Sequence, residues 1–147
     1  MLLTKHISKI LVVLILFIAS CKPKSPYKIE EIIFNIPQEQ VFQNLDNQFK
    51  FEKVKIWGLK TEGTDQLHVE VTNSKKYTNE LLFTKELAKS IKNYVKNIDH
   101  YSHIIVNTVI MKKNFLFSTT ENKNTVFRMT DLSNISYQAY FEEIAKK

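Results

Sequence analysis

The sequence predicts an α+β fold: one two-layer domain in which a mainly antiparallel sheet of about five strands carries helices on one face. Three observations lead there. Apolar residues recur at helical spacing from Leu87 to Ile98. β-Branched segments come in pairs separated by short polar turns. Helix-like segments stand at both ends of the strand series.

Taken in order, Ile29 to Ile36 reads two ways, as a helix on Ile29, Ile32, Ile33 and Ile36 or as a strand on Ile32, Phe34 and Ile36. Pro37 then suits a first helical position. Val41, Phe42, Leu45 and Phe49 supply one apolar helical face. Two strands follow, Val54 to Lys60 and Leu67 to Asn73, and the segment Thr61 to Gln66 with Gly63 turns between them. The main helix is expected from Thr84 to Ile98, with Thr84 capping its start and Leu87, Ala88, Ile91, Tyr94, Val95 and Ile98 facing a core.

Ile104 to Met111 is apolar at nearly every position and β-branched, which predicts a central strand. Asn114 to Thr120 and Thr125 to Thr130 are expected to form a hairpin through Glu121-Asn122-Lys123-Asn124, with Phe115 and Phe117 on one face beneath a helix. A last helix begins near Ser133 to Ser136 and is expected to bury Tyr137, Tyr140, Phe141 and Ile144.

The amino terminus carries a different signal. Lys5 and Lys9 precede an apolar run from Ile10 to Ile18, followed by the small residues Ala19 and Ser20. That order is a secretory signal peptide. The run falls short of the roughly 20 apolar residues a spanning helix needs, and recruiting Met1 to Ile7 would bury two lysines.

Ile18-Ala19-Ser20-Cys21 resembles the lipobox of bacterial lipoproteins. The resemblance covers only the amino terminus. It implies cleavage before Cys21, a diacylglyceryl thioether on Cys21 and acylation of the new terminus. Each buried methylene would add about 0.8 kcal/mol of membrane affinity, and several chains make attachment lasting. The expected organisation is a signal peptide over 1–20, a lipidated cysteine and tether over 21–28, and an α+β domain over 29–147. Lys22, non-acidic after the cysteine, implies a lipid-anchored protein of the outer membrane facing the periplasm.

Composition narrows the function. Cys21 is the only cysteine, so no disulfide forms within the chain. Loss of residues 1–20 leaves 19 basic against 15 acidic residues, a net of +4. For an exported protein that charge points to a lipid surface, an anionic polymer or an acidic envelope protein, and not to nucleic acid. Two glycines, Gly58 and Gly63, cannot make a Gly-rich phosphate loop.

The candidate chemistry is sparse. Asp99, His100 and His103 cluster where the main helix ends, with His68 elsewhere, and imidazole and carboxylate are metal-ligand types. A histidine at a helix carboxyl end also caps free carbonyls, and that structural role is the expectation. No serine occupies a nucleophile elbow, and adjacent acids such as Glu30-Glu31 and Glu142-Glu143 point to different sides of a helix. No catalytic, metal or cofactor set is therefore expected. Lys85, Lys89, Lys92 and Lys96 fall at helical spacing opposite the apolar face, an ordinary solvated face or a contact for an anionic surface. Trp57, Tyr101, Phe115, Phe117 and Phe127 are expected mainly in the core, with Trp57 or Tyr101 free to serve an uncovered sheet face. The functional expectation is a non-enzymatic, anchored lipoprotein that binds an envelope component. An inhibitor that captures a toxin or hydrolase, or an enzyme using a His–carboxylate site, are the alternatives.

Overall fold

The computed structural model describes residues 27–61 and 64–146. Residues 1–26, and with them the signal peptide, Cys21 and most of the expected tether, lie outside the described residues. The chain is α+β. In order it forms β1 (Tyr27–Glu30), α1 (Gln38–Phe49), β2 (Lys53–Thr61), β3 (Asp65–Thr72), α2 (Glu80–Tyr94), a 3-10 turn (Ile98–His100), β4 (His103–Lys113), β5 (Ser118–Arg128), β6 (Asn134–Ile135) and α3 (Tyr137–Ala145).

The strands make one six-stranded sheet in sequence order, where about five were expected. The expected strands Asn114 to Thr120 and Thr125 to Thr130 merge into β5, and β1 and β6 are additional: in β1, Tyr27 pairs with Thr61 and Glu30 with Gly58, so Tyr27 and Lys28 belong to the sheet and not to the tether. Four of the five strand pairs are antiparallel. The exception is β3 beside β4, parallel from Gln66–His103 to Thr72–Val109. Thr72 to His103 is long enough to carry the chain back over the sheet through α2, and such a crossover permits parallel pairing.

Alternation along the strands sorts side chains onto two faces. On the first, Leu67, Val69 and Val71 of β3, Ile104 and Val106 of β4 and Phe127 of β5 meet Val41, Leu45 and Phe49 of α1 and Phe83, Leu87, Ala88 and Ile91 of α2. Burying each such aliphatic or aromatic side chain stabilises the fold by about 1.5–3 kcal/mol. The Phe49 and Phe83 rings meet edge to face at 5.6 Å and join the two helices. Tyr101 belongs to this core, 9% exposed, and is not a surface residue. A Cβ at position 58 would stand 3.2 Å from the Tyr101 hydroxyl oxygen, which explains a glycine inside β2.

The second face is covered only in part. Ile105, Val126, Ile135 and Tyr140 form a smaller core under α3, joined by Ala139 and Ile144. The helices therefore do not share one face: α1 and α2 lie on one side, α3 on the other. Tyr140 is the buried aromatic of α3, whereas Tyr137 and Phe141 are exposed, against expectation. A nine-residue helix over the edge of a sheet has room to bury one narrow stripe.

Helix α2 begins earlier than the sequence predicts. Asn79 is its cap, accepting a hydrogen bond from the Leu82 backbone N–H at 3.1 Å. Thr84 sits inside the helix, fully buried, and donates to the Glu80 carbonyl at 2.7 Å. The helix stops at Tyr94. Val95 turns extended and bridges Phe34, which fastens the segment after β1 across the helix end.

The hairpin also departs from expectation. Its strands are β4 and β5, and Glu121 to Asn124 lie within β5, paired with Ile110 to Asn107. The turn is Asn114 to Phe117, closed by the Asn114 N–H donating to the Phe117 carbonyl at 2.8 Å. Phe115 and Phe117 are thus at a turn, 103% and 72% exposed, and no helix among the described residues covers them.

Candidate functional site

Three places concentrate polar or exposed aromatic chemistry: the edge of α3, the open half of the second sheet face, and the end of the β4–β5 hairpin.

At the edge of α3, His103 is 3% exposed, with its ring edge-on to Tyr140 at 5.1 Å. Its Nδ1 lies 2.9 Å from Ser102 Oγ and its Nε2 lies 3.1 Å from Glu143 Oε2. The other oxygen of Glu143 accepts from Arg128, through Nε at 3.0 Å and through a shorter contact to Nη2. Arg128 hydrogen bonding, then His103, holds the Glu143 carboxyl below its ordinary pKa. A serine, a histidine and an acid in contact invite comparison with a nucleophilic relay. The Ser102 hydroxyl also lies 3.2 Å from the Asp65 carbonyl, and the principal cavities among the described residues are lined elsewhere. The chemistry this arrangement performs is fastening: it ties α3 to β4 and β5 through charge-assisted bonds that are only partly buried.

The sequence placed His100 and His103 together, but the structure sends them apart. His100 Nε2 pairs with Asp65 Oδ2 at 2.6 Å at the top of the sheet, while Asp99 is exposed. No group of three or more metal-ligating side chains occurs among the described residues.

The four lysines do not form one stripe. Lys85 and Lys89 are exposed on α2. Lys92 instead donates to the carbonyls of Met129 at 2.5 Å and Thr130 at 3.2 Å, and so neutralises backbone dipoles in the β5–β6 connection. Lys96 lies past the helix end, its backbone N–H bonded to the Ile33 carbonyl at 2.8 Å.

Across β1, β2 and β3 no helix among the described residues covers the second face. Pairing places Ile29 beside Leu59 and Trp57 beside His68 there. The Trp57 and His68 rings stack, 5.4 Å apart and 20° from parallel, and His68 Nε2 meets Gln66 Oε1 at 3.0 Å. Burial, which disfavours the charged ring, lowers the His68 pKa below its ordinary value. Ile29 is 64% exposed. Below this patch, Lys55 and Glu70 pair at 3.0 Å. Trp57 was singled out from the sequence. The contribution of Ile29, Leu59 and His68 was not, because it depends on strand pairing.

The third place is the hairpin end. Val109 is the last β4 residue beside β3, and Asn73 Oδ1 accepts the Met111 N–H at 2.7 Å just beyond it. From there to Lys113–Ser118 the two strands pair only with each other. A recess of about 390 Å³ lies at this departure point, lined by Tyr77, Phe83, Thr108 and Ile110 among others. On the second face nearby, Asn107 Oδ1 is buried without a hydrogen-bond partner among the described residues.

Comparison with protein-family models, with curated proteins and with solved structures gives no match for the chain. No helix among the described residues is long and apolar enough to cross a membrane.

Proposed function

We propose that this chain is a lipid-anchored, non-catalytic lipoprotein of a bacterial cell envelope, placed at the outer membrane facing the periplasm, that binds another envelope protein. The anchor follows from Ile18-Ala19-Ser20-Cys21 after an apolar run. The observation that carries the binding role is the open sheet face, where Ile29, Leu59, Trp57 and His68 form an aromatic and aliphatic patch that α3 leaves uncovered. A flat patch of this kind, bordered by the Lys55–Glu70 pair, has the composition of an interface with an apolar centre and polar rim. The chain of bonds from Ser102 through His103 and Glu143 to Arg128 supports a structural role for this relay-like cluster.

The test has two arms. Intact mass and membrane fractionation of the native protein are compared with Cys21→Ser. The native protein is expected to gain lipid mass and sediment with membranes, and the variant to lose both. In the second arm, a photoreactive phenylalanine replaces Trp57 in intact envelopes. One discrete protein adduct, lost on Ile29→Glu, is the expected result. Its identity separates an envelope component from a captured toxin or hydrolase. Unmodified Cys21 in a soluble protein would defeat the anchor reading, and no adduct at position 57 would defeat the binding reading.

A further inference from the structure

The hairpin end combines three properties found nowhere else among the described residues. It projects: four residues of β4 beyond Val109, plus the turn, extend past the neighbouring strand β3, roughly 13 Å at ~3.3 Å per residue. It is apolar at its summit: Phe115, Leu116 and Phe117 are 103%, 75% and 72% exposed. It is basic at its collar: Lys112 and Lys113 are exposed, and no acid occurs from Lys112 to Thr120.

Its β5 arm is polar, while β4 adds the half-buried Ile110 and the partly exposed Met111 below the lysines. Ser118, Thr119, Thr120 and Asn122 line β5 where no further strand pairs with it. Three side chains without a continuing apolar face make a poor protein interface, since a stable one needs about 800 Å² per partner. They suit a bilayer surface, where aromatic side chains settle at the head-group level and lysines beside them attract anionic lipid.

We propose that Phe115, Leu116 and Phe117 insert into the interfacial layer of an anionic lipid membrane, with Lys112 and Lys113 held at the head groups. The inference does not rest on the state of Cys21. The chain enters the sheet at Tyr27, paired with Thr61, and the hairpin turn lies at the opposite end. A molecule held at both ends would therefore lie along the membrane and not stand away from it.

The full-length chain with Phe115→Trp, read against wild type to remove the Trp57 signal, is mixed with vesicles of phosphatidylglycerol and phosphatidylcholine whose acyl chains are brominated. The introduced indole is expected to shift to the blue and to be quenched by the bromines. Adding Lys112→Ser and Lys113→Ser should move the inserted-to-free ratio about 25-fold toward free, at roughly fivefold per lysine. An indole that stays open to aqueous acrylamide with vesicles present would overturn the proposal. So would equal quenching in pure phosphatidylcholine with no response to the lysine changes. Shielding without vesicles that grows with protein concentration would overturn it in favour of a second copy of the chain. The mass of Cys21 is read separately, so failure of the anchor and failure of the hairpin contact are distinguishable.

Discussion

The β4–β5 hairpin is one element with two environments. At its base, Ile104 and Val106 face the layer of α1 and α2, Ile105 faces α3, and all three are buried. At its far end the same strands have neither helix nor neighbouring strand among the described residues, and the residues from Met111 to Ser118 are exposed. Phe127 at the base is fully buried, whereas Phe115 at the turn is fully exposed. The two phenylalanines have the same chemistry and belong to one hairpin, Phe127 on its ladder and Phe115 in the turn that closes it. What differs is the number of layers stacked on that part of the ladder. Apolar character supplies a tendency to be covered, and the layers decide where covering is available.

The sharpest way to break this contrast is at the base. Phe127→Ala should destabilise the protein by about 3–5 kcal/mol, as expected for emptying a packed aromatic site. Denaturant unfolding measures it. A loss below about 1 kcal/mol would mean that the base is packed no better than the tip.

Between these extremes lies the open half of the sheet, where His68 is half-buried and stacked on the Trp57 indole. Its folded pKa is below the unfolded value of 6.5, so the unfolded state binds more protons between the two values. Stability from keeping His68 neutral is thus present above pH 6.5 and is lost as pH falls through the folded value. His68→Gln should flatten the change in stability between about pH 7.5 and 5.5 relative to wild type. Equal slopes in the two proteins would show that the Trp57 stack does not burden the charged ring.

The smallest effect belongs to the tip. Phe115→Ser with Phe117→Ser should leave stability within about 0.5 kcal/mol, since neither ring is covered in the fold. A larger loss would show that these rings pack on part of the chain and are not offered to a membrane.

Much of the helical layer was legible in the sequence. Leu87, Ala88 and Ile91 repeat at helical spacing and are buried, as are Val41, Leu45 and Phe49. The apolar run from Ile104 marks a strand covered on both faces at its base. The start of α2 was misread because Thr84 resembles a cap, while the effective cap, Asn79, precedes a first turn with Leu81 and Leu82 exposed. The hairpin was misread for a related reason. Glu121-Asn122-Lys123-Asn124 has turn composition, and Phe115 to Phe117 has strand composition, so local preference placed both the wrong way round. The eleven-pair ladder between β4 and β5 overrides those preferences with backbone hydrogen bonds.

By itself the sequence determined the α+β class and the apolar faces of α1 and α2. These are periodicities and motifs, properties of residues near one another in the chain. Only the tertiary structure decided that β1 completes the sheet, that β3 and β4 run parallel, and that α3 crosses to the opposite face. The same long-range pairing joined Ile29 and Leu59 to Trp57 and His68, drew His103 away from His100 toward Glu143, and left three apolar side chains at the end of an unsupported hairpin. Each of these depends on contacts between distant segments, which no local pattern encodes.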